Sequence, residues 1–280
     1  MSAFSLPHRP KDGHKGTFGR IAVIAGSYNM AGAACFSTLA AYRAGAGLAE
    51  VFTPEENRVI LQIRVPEAVL HTYREERFSF SSVKEELERA SALLIGPGLG
   101  KSDTAKALLK GVLFELDPAM PKVFDADALN LMAKDPAFMD ALTEQKAAIL
   151  TPHLGELARL CGHAELSDAK KLATQYGVTV VRKSAVTVIT DGDGQLFTLE
   201  GYNSGMATGG SGDILAGLIA GFFPRIPNPF EAAKLGILVH AAAGNIARER
   251  VGETAMIASD ILDAVPAVLK AAEQEACEHE

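Results

Sequence analysis

The chain has 280 residues, 48% hydrophobic and 22% charged, which is typical of a globular protein rather than a disordered, fibrous or membrane one. Its formal net charge of -7 argues against nucleic acid as a partner, because nucleic-acid binders display a basic surface. No apolar run approaches the about 20 residues that span a bilayer, so we expect a cytoplasmic protein without a membrane partner. Three widely spaced cysteines, Cys35, Cys161 and Cys277, predict reduced thiols.

The sequence predicts strands and helices that alternate along the chain. After a lead-in over residues 1–18, the apolar run Arg20–Ala25 predicts a buried strand, and the Ala-rich segment 31–45 predicts a helix ending at Gly45. A strand over Leu48–Thr53 completes a βαβ unit. Further strands are predicted near residues 67–71, 91–95, 121–125, 147–150, 178–181 and 186–190. Further helices are predicted over residues 102–113, 153–161 and 167–176.

The C-terminal part is predicted to begin with a hairpin and to continue as helices. The turn Asp191–Gly194 joins the strand over 186–190 to one over 195–199. Beyond Ser211 the pattern is helical, with an interruption at Pro227–Pro229 and a helix near 231–249. No composition shift divides the chain, so we expect residues 1–280 to form a single α/β domain with a mostly parallel central sheet.

A glycine-rich turn before an apolar helix carries the strongest chemical signal. Gly209, Gly210 and Gly212 allow the backbone to turn tightly and to expose N–H groups. The helix beginning near Ser211 adds unpaired amides and its positive dipole end, which predicts an anion site. Asp213 in the first turn is then a candidate general base for a hydroxyl that attacks phosphorus. The alternative is an ordinary helix start, at which the dipole stabilises an aspartate.

Two nucleotide-binding motifs are nearly matched and are excluded. The run Ile95–Ser102 ends like a P-loop, but Ile95 occupies the position of the required first glycine. The run Gly26–Gly32 follows a strand and opens a helix, but it lacks the middle glycine of a dinucleotide fingerprint. Both runs lie where the carboxyl end of a strand meets a helix, so we interpret them as pocket walls or as simple tight turns.

The segment after the predicted strand 147–150 combines a proline, a histidine and a glutamate. Pro152 is expected at the first helical position, which places His153 and Glu156 three residues apart on one helix face. Either the two side chains face the crevice at the carboxyl ends of the strands, or they only stabilise the start of the helix.

Charged residues follow two other predicted strands. Asp125 and Asp127 come at a strand end, where carboxylates cap a helix or hold magnesium through water, and capping is the preferred interpretation for Asp127. Lys183 lies between two strands and either pairs with nucleotide phosphates or is solvated.

Together these segments resemble the ADP/ATP-dependent NAD(P)H-hydrate dehydratases, nicotinamide-nucleotide repair enzymes of the ribokinase-like superfamily. The resemblance extends over nearly the whole chain. Its motifs are His14–Gly19, Val23–Ser27, Met30–Ala34, Gly45–Gly47, Gly96–Gly100, Asp125–Asn130, Thr151–Glu156 and Thr208–Asp213. The last motif alone indicates the superfamily, whereas those beginning at His14 and Thr151 point to the dehydratase branch. The implied fold is a ribokinase-like three-layer α/β/α sandwich.

The resemblance implies an enzyme that uses ADP, or ATP, with Mg²⁺ to dehydrate the S epimer of 6-hydroxy NADH or NADPH (NADHX or NADPHX) to the intact dinucleotide. By position, Asp213 is the base that activates the hydrate hydroxyl, and Glu156 supports Mg²⁺ through water. The implied substrate contacts are Ala41, Gly98, Gly100, His153 and Asp213. The implied nucleotide contacts are Lys183, Ser184, Ala185, Val186, Thr187, Gly210, Ser211 and Gly212.

One position departs from the family pattern. Relatives usually carry a glycine after the lysine, and this chain has Ser184. If that backbone requires a positive φ, the Cβ of Ser184 costs about 1–2 kcal/mol of strain and nucleotide affinity changes. The resemblance also implies a homotetramer, and a separate epimerase that acts on the other epimer of the hydrate.

Two other functions fit the same residues. A ribokinase-like kinase of a small vitamin precursor would use the same base and would release a stable phosphoester. A regulatory nucleotide-binding module without turnover fits less well, because anion binding does not require a neighbouring carboxylate.

Overall fold

A computed structural model describes residues 4–201 and 203–278, and the strands within them form one nine-stranded sheet. The strands are Arg20–Ile24 (β1), Leu48–Pro54 (β2), Val69–Tyr73 (β3), Ala92–Ile95 (β4), Lys122–Phe124 (β5), Ala148–Leu150 (β6), Thr179–Arg182 (β7), Val186–Thr190 (β8) and Leu196–Glu200 (β9). Their order in the sheet is β3-β2-β1-β4-β5-β6-β7-β8-β9. All pairs up to β7 are parallel, whereas β8 is antiparallel to both of its neighbours.

Eleven α-helices within the described ranges connect or follow these strands. They are Ala31–Arg43 (α1), Arg58–Arg64 (α2), Lys84–Glu88 (α3), Asp103–Phe114 (α4), Asp127–Met132 (α5), Pro136–Asp140 (α6), Leu154–Cys161 (α7), Leu166–Tyr176 (α8), Ser211–Phe222 (α9), Pro229–Val251 (α10) and Ala258–Glu278 (α11). None of the helices in the described residues is long and apolar enough to cross a membrane.

The helices cover both faces of the sheet because side chains alternate between the faces along each strand. In β1, Ile21 and Val23 pack with α1, α9 and α10, whereas Ala22 and Ile24 pack with the helices α4 to α8. A third apolar cluster lies between α11 and the helices α1, α9 and α10. This arrangement confirms the predicted three-layer α/β architecture, with α11 outside one helical layer.

Helices α1 and α9 approach each other with their backbones nearly in contact. A Cβ at Gly217 of α9 would lie 2.3 Å from the carbonyl oxygen of Ser37 in α1, so this position requires glycine. This contact packs α9, which comes from the C-terminal part of the chain, closely against α1, which comes from the N-terminal part.

Most predicted elements are confirmed, with ends shifted by one or two residues. The strand predicted at 67–71 lies at Val69–Tyr73, because Pro66 and Glu67 are the central residues of a turn closed by the bond from Ala68 N to Val65 O. Three helices, α2, α3 and α6, have no predicted counterpart, and α5 is expected only through the capping interpretation of Asp127. Each of the four has seven residues or fewer, too few for a recognisable apolar period.

The hairpin and thiol predictions are also confirmed where the structure describes them. Asp191 closes the turn between β8 and β9 by accepting hydrogen bonds from the backbone N–H groups of Asp193 and Gln195. Cys35 and Cys161 are free, and the side chain of Cys277 lies outside the described residues.

One lysine is buried inside the fold. Lys122, the first residue of β5, is 0% exposed, and its Nζ donates to the carbonyl oxygens of Asp117 at 2.6 Å and Met120 at 3.4 Å. Burial lowers the pKa of Lys122 to about 8, although the Asp117 carboxylate partly opposes the shift. The ammonium is therefore charged but poorly stabilised at neutral pH.

We expect Lys122→Met to raise the free energy of unfolding at pH 7 by about 1–2 kcal/mol, because it removes a buried charge and keeps most of the volume. Since the folded pKa lies below the unfolded one, the cost of Lys122 is complete below about pH 8 and disappears above pH 10.5. Urea unfolding at pH 7 and at pH 10 measures the difference, which should shrink at the higher pH. The exposed substitution Lys146→Met is the control. Equal stability of the wild type and Lys122→Met at pH 7 would contradict this interpretation.

Candidate active site

The loops that follow β4, β5, β6 and β7 meet at one edge of the sheet. These strands are neighbours in the sheet and run in parallel, so their carboxyl ends share that edge. The loops carry most of the predicted site residues, among them Gly98, Asp125, His153 and Lys183. The edge therefore forms the crevice in which α/β proteins of this type bind ligands.

The glycine-rich turn places the N-terminus of α9 at the same crevice. Gly210 has φ 97°, and a Cβ there would lie 2.8 Å from the Phe36 ring, so the turn requires glycine at this position. A Cβ at Gly212 would lie 3.3 Å from Lys183 Nζ, which places that ammonium over the first turn of the helix. The helix amides and the lysine together make a positive site for an anion.

A buried ion pair holds Lys183 in place. Lys183 Nζ lies 2.6 Å from Asp125 Oδ1, and the hydroxyl of Thr151 donates to the same oxygen at 2.7 Å. The Asp125 side chain is 2% exposed and that of Lys183 is 18% exposed. Burial alone would lower the pKa of Lys183, but Asp125, Glu156 and Asp213 together raise it above its ordinary value. The lysine is therefore a fixed cation and not a solvated one.

Asp213 lies in the first turn of α9 with the titration behaviour of a base. Burial, together with the carboxylates of Asp125 and Glu156, raises the pKa of Asp213 to about 6 against the opposing effect of Lys183. A carboxyl group with a pKa of about 6 is ionised at neutral pH and is more basic than an exposed aspartate. The geometry and charge of this residue thus favour the base interpretation over that of an ordinary helix start.

His153 and Glu156 stabilise the start of α7. His153 is the N-cap residue: its Nδ1 accepts from the backbone N–H groups of Gly155 and Glu156. Glu156 accepts in return from His153 N at 2.9 Å, and its other oxygen lies 3.2 Å from His153 Nε2. The prediction of Pro152 at the first helical position is wrong, because His153 takes the capping position and the helix begins at Leu154.

The histidine and the glutamate differ in exposure. The side chain of His153 is 52% exposed at the rim of the crevice, whereas that of Glu156 is 5% exposed. Burial raises the pKa of Glu156, Asp125 adds to the shift, and Lys183 opposes it. The charge of Glu156 therefore interacts with the buried Asp125–Lys183 pair, whereas the side chain of His153 faces solvent.

The loop after β4 forms the opposite wall of the crevice. Gly98 packs against Met30 and Ala33 at the start of α1, and Gly100 donates its N–H to Asp127 Oδ2 at 2.9 Å. Asp127 was expected to cap a helix, and this is wrong: the N-cap position is occupied by Ala126. The Asp127 carboxylate instead ties the β5 loop to the β4 loop.

Ser184 and Ala185 form a bend between β7 and β8, and Val186 and Thr187 are the first residues of β8. Ala185 is exposed, and the Ser184 hydroxyl donates to Val186 O at 2.6 Å, while the Thr187 hydroxyl donates to Ser184 O at 3.2 Å. Ser184 is not among the non-glycine residues with positive φ in the described part of the chain, which are Asn29 and Ala126. The expected backbone strain at Ser184 is therefore absent.

Ala41 does not reach this crevice. It is 0% exposed in the last turns of α1, and its carbonyl oxygen would lie 2.6 Å from a Cβ at Gly221. Gly221 is about 12 Å along α9 from Asp213, at 1.5 Å per residue. The geometry therefore does not support the expected contact of Ala41 with the substrate, because its side chain is sealed between two helices.

No residue set suited to direct metal binding is found in the described ranges. There is no group of three or more His, Cys, Asp or Glu side chains placed to hold a metal ion. Lys183 already neutralises Asp125, and both oxygens of Glu156 contact His153. The residues fit Mg²⁺ that keeps its waters and is carried by phosphates, since such an ion needs only one or two nearby carboxylates.

Two contacts within the site could not be read from the sequence. The contacts of Asp125 with Thr151 and Lys183 depend on β5, β6 and β7 being neighbours in the sheet. The position of Asp125 at the end of a strand is nevertheless a usable sequence signal of a site residue. The hydroxyl of Ser211 lies 3.3 Å from Nε2 of His240, a buried residue of α10. A lone histidine in an Ala-rich helix gives no sequence signal of such a contact.

Comparison with known proteins agrees with this geometry. Residues 21–267 match the family described as NAD(P)H-hydrate dehydratase. An ADP-dependent (S)-NAD(P)H-hydrate dehydratase of Neisseria meningitidis is 34% identical over 276 residues, which are 94% of this chain and 90% of the relative. A crystal structure of ADP/ATP-dependent NAD(P)H-hydrate dehydratase from Bacillus subtilis, co-crystallised with ATP and Mg²⁺, is 31% identical with a TM-score of 0.82. It covers 96% of this chain and 95% of that chain, and the structural matches confirm the ribokinase-like fold.

Other relatives are longer proteins. The bifunctional NAD(P)H-hydrate repair enzyme Nnr of Moorella thermoacetica is 37% identical over 283 residues, which are 96% of this chain and 53% of the relative. The chain therefore spans about half the length of the bifunctional relatives that it matches.

Proposed function

Because the chain belongs to the NAD(P)H-hydrate dehydratase family, we propose that it is an ADP-dependent dehydratase acting on the S epimer of NADHX or NADPHX. The observation that carries the proposal is the position of Asp213, a half-buried base with a pKa of about 6 in the first turn of α9. Beside it, the helix amides and the ammonium of Lys183 form a site for the phosphoryl group.

The first step is phosphoryl transfer to the hydroxyl of the hydrate. Asp213 takes the hydroxyl proton while the oxygen attacks the terminal phosphorus of ADP, so one O–P bond forms and the bond to the leaving AMP oxygen breaks. The amides of Gly210–Gly212 and the Lys183 ammonium stabilise the charge on the transferred group. Phosphoryl transfer converts the hydroxyl into a phosphate ester, and phosphate is a good leaving group.

The second step is elimination. The C–O bond of the phosphorylated ring breaks, phosphate leaves with the bonding electrons, and the adjacent ring carbon loses a proton to the departing phosphate. The double bond of the dihydronicotinamide is thereby restored. Gly98, Gly100 and His153 lie around the crevice where the hydrated ring is held, whereas Lys183, Ser184, Ala185, Val186, Thr187 and the Gly210–Gly212 turn hold the nucleotide.

Mg²⁺ would enter with the nucleotide phosphates, with Glu156 contacting its water shell. When bound, the ion supplies positive charge to the phosphate oxygens. The Bacillus subtilis relative that was co-crystallised with ATP and Mg²⁺ supports both the nucleotide and the metal.

We propose the remaining biological setting on the same family grounds. Residues 1–280 act as one domain, with the single nine-stranded sheet in support. The enzyme works in the cytoplasm as a homotetramer, together with a separate epimerase that converts the other epimer of the hydrate. The bifunctional repair enzymes among its relatives support the link between the two activities.

An assay with hydrated NADH tests the function. The purified protein, Mg²⁺ and either ADP or ATP are mixed with both epimers of the hydrate, and the absorbance of the reduced nicotinamide is followed. We expect ADP to restore part of the absorbance, because only the S epimer reacts, and omission of the nucleotide to abolish the recovery. No recovery by folded protein, together with phosphorylation of a vitamin precursor, would establish the small-molecule kinase instead.

A further inference from the structure

His240 is a buried histidine that the proposed chemistry does not use. It lies in α10, which packs directly against α9, and it is 9% exposed. Its Nε2 lies 3.3 Å from the hydroxyl oxygen of Ser211, the first residue of α9. Burial lowers the pKa of His240 to about 4, and the Lys183 ammonium adds to the shift against the opposing effect of Ser211. The imidazole is therefore neutral at physiological pH.

The anion-binding turn needs such a contact. In Gly210–Gly212 only Ser211 carries a side chain, and the flanking glycines have the largest conformational freedom of any residues. Backbone N–H groups stabilise a transferred phosphoryl group only when they already point at it, since reorientation during the reaction costs free energy. Ser211 is itself 7% exposed, so its hydroxyl points into the protein and not into solvent.

We propose that His240 is a positioning residue that holds the Ser211 hydroxyl and thereby fixes the Gly210–Gly212 amides in the orientation that binds the phosphoryl group. The proposal rests on the proposed function, because it assigns the same turn to the phosphoryl group. Because the imidazole is neutral, its effect is one of orientation. The positive charge at the turn comes from Lys183 and the helix.

The first test is His240→Leu, which keeps an apolar side chain of similar size and removes the hydrogen bond. We expect ADP affinity, measured by calorimetry, to weaken about threefold to tenfold, and kcat/KM to fall about tenfold. His240→Gln retains a hydrogen-bonding group at a similar reach and should recover most of this loss. A His240→Leu protein with unchanged ADP affinity and kcat/KM would overturn the proposal.

A double-mutant cycle separates positioning from general packing. If His240 acts through Ser211, then His240→Leu has no further effect on kcat/KM once Ser211→Ala is present. If each single variant loses about tenfold, the kcat/KM of the double variant should then also be about tenfold below that of the wild type. Independent effects would multiply to a loss of about a hundredfold and would overturn the proposal.

The matched control is Val239→Ala in the same helix. Val239 is 0% exposed and packs in the apolar cluster towards α11, so its truncation lowers Tm without touching the turn. We expect Val239→Ala to keep the ADP affinity and kcat/KM of the wild type well below its Tm. A loss equal to that of His240→Leu would show that any packing defect disturbs the site, and would overturn the positioning role. Failure of the proposed function is distinguishable, because wild-type protein would then bind ADP without restoring NADH.

Discussion

Replacing Asp213 with asparagine is expected to lower kcat by about 10²–10⁴-fold, the usual contribution of a positioned general base. Nucleotide binding should be retained or strengthened, because the variant removes a negative charge beside the phosphate and leaves the helix amides and Lys183 in place. Single-turnover kinetics and ADP calorimetry measure the two effects separately. Asp103→Asn is the control, since Asp103 also lies in the first turn of a helix, α4, but is exposed. Unchanged turnover in Asp213→Asn would exclude the base role.

The same carboxyl group sets an expected pH dependence. With a pKa of about 6 raised by burial, Asp213 loses its basic form as the pH falls. The kcat/KM of the wild type should therefore be level near pH 7 to 8 and should fall tenfold for each pH unit well below 6. This acidic limb of the pH profile should be absent from the residual activity of Asp213→Asn.

Stability should change in the opposite direction to activity. Because the folded pKa of Asp213 lies above its ordinary value of 3.8, the ionised group destabilises the fold above about pH 6. The cost disappears below about pH 4, where the carboxyl is protonated in both states. Asp213→Asn should thus have a higher Tm than the wild type at pH 7, so unfolding cannot explain its lost turnover.

Replacing Lys183 with methionine is expected to lower kcat/KM by about 10²–10³-fold, as for the loss of one donor from a charge-stabilising site. The variant removes the cation above Gly212 and leaves the buried carboxylate of Asp125 unpaired. Loss of a partner from a buried ion pair costs about 3–5 kcal/mol of stability, so the Tm should also fall. Lys101→Met is the control, because Lys101 is a half-exposed lysine near the same edge.

A pH profile distinguishes this effect from simple unfolding. Lys183 opposes the rise in the pKa of Asp213, so its removal should move the acidic limb of kcat/KM to higher pH. Measured at a temperature at which the variant is folded, an unmoved limb would mean that the lysine does not act on the base. A loss of kcat/KM in Lys101→Met of the same size would mean that net charge alone matters.

The sequence predicts the parts of the site that depend on local backbone and on strand direction. The turn at Gly210 and the helix that follows are visible because glycine and apolar periodicity act over a few residues. The common location of Gly98, Asp125 and His153 follows from parallel strands, whose carboxyl ends share an edge. Each of these expectations depends on neighbours in sequence or on the repeated βα alternation.

What the sequence does not predict depends on contacts between distant segments. Lys183 and Asp125 are 58 residues apart and meet only because β5, β6 and β7 are adjacent. The burial of Ala41 depends on α9 lying against α1, which no local pattern reveals. The displacement of Pro152 from the first helical position has a different cause, because His153 competes with it as a capping residue and no general preference favours histidine there.

The contact between α1 and α9 has a consequence for synthesis on the ribosome. One face of β1, β4 and β5 is covered by α9 and α10, which are encoded in the last third of the chain. When the first six strands have left the ribosome, apolar side chains such as Val23, Leu94 and Val123 still lack this cover. The nascent chain therefore exposes an apolar sheet face until residues 211–251 emerge, and we expect it to be most prone to aggregation in this interval.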